Sequence, residues 1–112
     1  MTKATLSRAA LSLLDDPMPA SKWRWITDNS LRAYGAVFIK RRTVRINVKL
    51  HKRSRALLLD TFIHEHLHIN YPFWTERKIE ETANIICNFL TPKERKVRLA
   101  YYLSLLKPEK VS

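Results

Sequence analysis

Two histidines four residues apart, with a glutamate beside the first, are the side chains of this protein best suited to chemistry: His64-Glu65-His66-Leu67-His68. On a helix, positions i and i+4 stack on one face. Two imidazoles so placed can hold one Zn²⁺, and the adjacent glutamate can take a proton from a water that the metal activates. The chemistry implied is hydrolysis, with Glu65 as general base and a peptide bond as the first substrate class. His66 lies two residues from each ligand candidate, so it points off their face and reads as a packed or surface histidine.

A catalytic zinc usually takes three protein ligands and keeps one position open. Position 74, where another class of zinc hydrolase has its third histidine, holds Trp74, and His51 is the only histidine outside the motif. Carboxylates are better placed. Glu76, Glu80 and Glu81 follow after a short turn. If their helix runs back antiparallel, Glu76 stands level with His68 and Glu80 level with His64, while Glu81 points away. Glu76 is thus the expected third ligand, and Glu80 the expected acceptor for the imidazole N–H of His64. The alternative makes Glu80 the ligand with Asn84 behind it. Glu76 also admits a plainer role, a carboxylate favouring its helix dipole. An oxyanion partner is usual in such chemistry, and Tyr34, Tyr101, Tyr102 and His51 are the candidates.

The elements that must position these groups can be read from the pattern. Residues 3–14 alternate as an amphipathic helix, which Asp15-Asp16-Pro17-Met18-Pro19 breaks. Trp23, Trp25 and Ile26 suggest a short extended piece, with a turn at Asp28-Asn29-Ser30. Thr43 to Leu50 places Val44, Ile46, Val48 and Leu50 on one face and Arg45, Asn47 and Lys49 on the other, a half-buried strand. With residues 36–40 it predicts a hairpin closed at Arg41-Arg42. Ser54 is the predicted N-cap of a central helix over 55–70, apolar on more than one side. Thr75 and Thr91-Pro92 open two further helices. The expected fold is therefore α+β: a small antiparallel sheet or hairpin against the central H-E-x-x-H helix, with one N-terminal and two C-terminal helices, in one domain over residues 1–112.

His64-Glu65-x-x-His68 followed by a glutamate on the next helix resembles the gluzincin-type metallopeptidases. The stretch from Asp60-Thr61-Phe62-Ile63 through Tyr71-Pro72-x-x-Thr75-Glu76-x-x-Ile79-Glu80 is similar to the small, minimal members found in phages and bacteria. The resemblance covers about residues 43–90. It implies a zinc site and a strand before the helix that serves as the substrate-binding edge. It also implies a supporting carboxylate four residues after the ligand glutamate, the place of Glu80. A C-terminal subdomain of the larger enzymes has no counterpart here.

Composition bounds the partners. Net charge is +11, and no acidic residue lies between Asp28 and Asp60. That stretch carries Arg32, Lys40, Arg41, Arg42, Arg45, Lys49, Lys52, Arg53 and Arg55. Arg45, Asn47 and Lys49 on an edge strand would receive an extended peptide and favour acidic ones. A second function class follows from the same charge: a module that binds nucleic acid or an acidic protein through residues 32–55, with a structural or vestigial zinc site. Tryptophans between arginines could stack bases, but core packing is the commoner use of Trp23, Trp25 and Trp74. No apolar run approaches a membrane span, the N-terminus does not read as a secretory signal, and a lone Cys87 fits a reducing cytoplasm.

Overall fold

The computed structural model describes Leu14 and residues 20–108. The helix expected over residues 3–14 lies outside that range except for Leu14, which is buried and accepts a hydrogen bond from the Asn70 side chain at 2.8 Å.

Four strands form one sheet: β1 (Arg24–Thr27), β2 (Gly35–Phe38), β3 (Thr43–Ile46) and β4 (Leu106–Lys107). Three helices follow β3 in the chain: α1 (Arg55–Asn70), α2 (Glu76–Phe89) and α3 (Pro92–Leu105). The architecture is α+β, as the pattern implied. Each helix starts where its cap predicts. The Ser54 hydroxyl accepts from Leu57 N–H at 3.0 Å, and the Thr75 hydroxyl from Lys78 N–H at 3.1 Å. Thr91 and Glu94 satisfy each other's backbone N–H groups in a capping box, with Pro92 at the first helical turn.

The sheet is mixed, with order β2-β3-β1-β4. β2 and β3 are the expected hairpin, paired antiparallel from Gly35 opposite Ile46 to Phe38 opposite Thr43. Arg42 closes it in the left-handed region at φ 46°. β1 and β4 both run parallel to their neighbours. The reason lies in the 28–34 connection. It passes beyond the end of β3 and delivers β2 to its far side, so β3 is inserted between strands that precede it. The Asn47 side chain holds that connection, donating to Leu31 O at 2.8 Å and Asn29 O at 3.3 Å. Leu106, directly after α3, begins β4.

This topology corrects the reading of residues 43–50. The strand ends at Ile46; Asn47 turns inward and is buried, and Lys49–His51 form a 3₁₀ turn with Leu50 exposed. β3 has neighbours on both sides, so Arg45, Asn47 and Lys49 are not an edge that can take a peptide. Arg45 is also engaged with Asp28 at 3.1 Å. The edge facing the helices' cleft is β2.

One face of the sheet supplies Trp25, Val44 and Ile46 to the core. α1 lies against β2 and β3 and is flanked by α2 and α3. Packed on three sides, it buries Leu58, Leu59, Phe62, Ile63, Leu67 and Ile69 around its circumference, which is why it shows no single apolar stripe. α2 contributes the regular stripe Ile79, Ala83 and Ile86. The Phe62 ring stacks on Tyr102 of α3 at 5.1 Å. Truncating a fully buried ring such as Phe62 to alanine costs about 3–5 kcal/mol. No helix among the described residues is long and apolar enough to cross a membrane.

Candidate metal centre

Only a narrow strip of α1 escapes the core, and it carries Asp60, His64 and His68, spaced four apart. The two imidazoles present their Nε2 atoms to each other at 3.1 Å. Both also touch Glu76 at the start of α2, His64 Nε2 to Oε1 at 2.6 Å and His68 Nε2 to Oε2 at 3.0 Å. The Tyr71–Thr75 turn brings α2 back antiparallel, and the Thr75 cap fixes where its first residue stands. Three good ligand groups thus converge with no other side chain between them. At a zinc–nitrogen distance of about 2.05 Å, two nitrogens this far apart subtend about 98°, close to the angle of a tetrahedral site. The donor set, two imidazoles and a carboxylate, suits zinc.

The electrostatics agree with that use. Burial depresses the pKa of His68, outweighing the opposite pull of Glu76. A neutral imidazole with its lone pair available is the form that ligates. Glu65 is buried, and its nearest oxygen lies within 4.8 Å of the histidine nitrogens. Burial, reinforced by the Glu76 charge, raises its pKa from 4.5 to about 7. A carboxyl poised near neutrality can both accept and return a proton.

Glu65 reaches the centre because the strand beside it is bare. A Cβ on Gly35 would meet Glu65 Cγ at 3.0 Å, Ile46 Cδ1 at 3.1 Å and Thr61 Cγ2 at 3.1 Å. Gly35 is the only glycine in the chain, a signal present in the sequence whose partner was not.

These groups open into one cleft of about 860 Å³ between β2, α1 and α2. Tyr34, Gly35, Ala36 and Val37 form its strand side, and Asp60, Glu80 and Asn84 extend the helix side. Glu80 lines the cleft one turn beyond Glu76, but no hydrogen bond joins it to His64. Among the described residues the Asn84 side chain likewise bonds only that of Asn88, accepting from its Nδ2 at 3.4 Å.

The oxyanion candidates separate cleanly. His51 is buried outside the cleft, its ring between Asn47 O at 2.6 Å and the Thr61 hydroxyl at 2.8 Å. Tyr102 is buried on the opposite side of α1, bonded to His66 Nδ1 at 2.9 Å, and Tyr101 packs against it. His66 is therefore a fully buried core residue. Tyr34 alone of the four lines the cleft. Trp25 is core; Trp74 stacks on Tyr71 at 4.1 Å, with the Lys78 ammonium above it.

Compared with known proteins, the chain matches no protein-family model, no curated protein and no solved structure, so the reading of this centre rests on its own geometry.

Proposed function

We propose that this protein is a zinc-dependent peptidase of reduced, gluzincin-like form. The observation that carries the proposal is the contact set of His64, His68 and Glu76, with the buried Glu65 carboxyl beside it in an open cleft. His64, His68 and Glu76 would hold the metal. A zinc ion held there would supply Lewis acidity to a carbonyl and to a water. Glu65 would then act as general base towards that water and return the proton to the leaving amine. The phenol of Tyr34 is the cleft's donor for the oxygen that gains charge. The edge of β2, unpaired among the described residues, offers backbone N–H and C=O groups to an extended chain, which is how a strand-like substrate would be held. A reducing cytoplasm suits the free Cys87.

The test is metal content joined to cleavage. The purified protein should take up one zinc per chain, and His64→Ala or His68→Ala should lose it. Glu65→Gln should keep the zinc and abolish hydrolysis of an unstructured protein such as casein. A wild-type chain that cannot be loaded with zinc ends this reading.

A second surface favours the polyanion-binding reading at a place that shares only Arg45 with residues 32–55. The outer face of the sheet has a groove of about 660 Å³ lined by Lys22, Trp23, Arg24, Arg45 and Lys107, and no acidic residue lines it among the described residues. Nucleic acid, or an acidic protein, is the partner class such a groove attracts. The two readings are compatible, because no residue lines both the groove and the cleft.

A further inference from the structure

The cleft is as acidic as the rest of the molecule is basic. Besides Glu65 and Glu76 it is lined by Asp60 and Glu80 and, among the described residues, by no lysine or arginine. The chain as a whole has 21 Lys and Arg against 10 Asp and Glu. Asp60 stands one helical turn before His64 on α1, and Glu80 one turn after Glu76 on α2. The helices are antiparallel, with Cys87 Sγ against Asp60 Oδ1 at 3.7 Å. Both carboxylates therefore fall on the same side of the histidine pair. Asp60 receives only that thiol, and Glu80 has no ion-pair or hydrogen-bond partner among the described residues. Glu65, only 7% exposed and with no hydrogen-bond partner among the described residues, lines the same cleft.

Charge balance shows what the second pair is for. A dication held by two neutral imidazoles offsets Glu65 and Glu76. Asp60 and Glu80 add two further carboxylates to a concave site that no lysine or arginine lines among the described residues. The basic groove draws its cations from β1, β3, β4 and Lys22, and none of them lines the cleft.

We propose that Asp60 and Glu80 form a subsite for a cationic side chain, arginine or lysine, beside the scissile bond. This names the substrate class within the peptidase reading and rests on it. Arginine is the better fit, since its guanidinium can span two carboxylates.

Binding and cleavage test the two layers separately. Zinc-loaded Glu65→Gln protein is titrated with fluorescein-labelled Ala-Ala-Xaa-Ala-Ala peptides, Xaa being Arg, Lys, Leu or Glu. The expected order is Arg and Lys over Leu by about tenfold, equivalent to about 1.4 kcal/mol, with Glu weakest. Asp60→Asn and Glu80→Gln should each erode that preference and together remove it, with one zinc per chain retained. Glu80 is exposed, so its variant also serves if Asp60→Asn perturbs folding. Equal binding of Arg and Leu peptides overturns the subsite, and so does loss of zinc in Glu80→Gln, which would make Glu80 a ligand. Wild-type cleavage without a basic preference sinks the subsite and spares the peptidase. An Arg preference in binding without any cleavage does the reverse.

Discussion

Glu65 illustrates how one residue can be costly to the fold and useful to the site. It is a carboxyl in a mostly buried position with Glu76 as its charged neighbour, and its pKa stands at about 7. A raised folded-state pKa contributes stability that is complete below the unfolded value, near 4.5, and is lost as pH rises through 7. In metal-free protein, Glu65→Gln should therefore be more stable than wild type at pH 8, by about 3 kcal/mol. The gap should close as pH falls towards 4.5. Urea unfolding at the two pH values checks this, and an equal gap at both would show that Glu65 is not desolvated. Gly35 is its counterpart across the cleft. Gly35→Ala puts a methyl against Glu65 Cγ, Ile46 and Thr61, so overpacking of about 1–3 kcal/mol is expected. Displacing the base should lower turnover by about a hundredfold while zinc affinity changes little. The histidine pair was legible in the sequence because i, i+4 is a local relation. Gly35 beside Glu65 was not, because it depends on which strand faces α1, and no local pattern encodes strand order.

The elements position the centre through small polar devices rather than through the core alone. His51 is one of them. Its ring ties the 3₁₀ turn after β3 to Thr61 on α1, one turn before Glu65. His51→Ala should cost about 1–3 kcal/mol by leaving Thr61 and Asn47 O without that partner. It should leave zinc stoichiometry at one per chain, as isothermal titration would show; loss of metal would return His51 to the site. Thr75 is another, and it stands next to Glu76. Thr75→Ala removes the cap that starts α2, at about 1 kcal/mol. Because fraying would free Glu76, zinc affinity should fall with stability, whereas Thr91→Ala should lower stability alone. All three caps could be read in the sequence, since a hydroxyl before a helical run acts within four residues. The span 43–50 misled for the opposite reason. Its alternation continues past Ile46, but Asn47 has more to gain from the exposed carbonyls of the 28–34 connection than from a ladder position. That gain exists only once β2 has been carried around β3.

At the scale of the molecule, folding sorts the charge that the sequence shows as one block. The register of β2 and β3 places Lys40, Arg41 and Arg42 beyond one end of the sheet, and Arg32 and residues 49–55 beyond the other. Four-residue strands separate the two groups by about 13 Å. The groove assembles instead from Lys22 and Arg24 together with Lys107, which is far from them in the chain and meets them because β4 pairs with β1. Its cations and the cleft's carboxylates occupy different concavities, so their ligands should respond independently. If the groove takes duplex DNA, Lys22, Arg24 and Lys107 supply three phosphate contacts, Arg45 being held by Asp28. The plot of log affinity against log salt should then have a slope of about −3. Arg24→Glu with Lys107→Glu should flatten the slope and weaken binding, while Asp60→Asn and Glu80→Gln leave both unchanged. Peptide binding should show the converse pattern, sensitive to the cleft pair and indifferent to the groove pair. A DNA affinity independent of salt, or one abolished by the cleft variants, would mean that the two surfaces are not the separate sites that the sheet makes them.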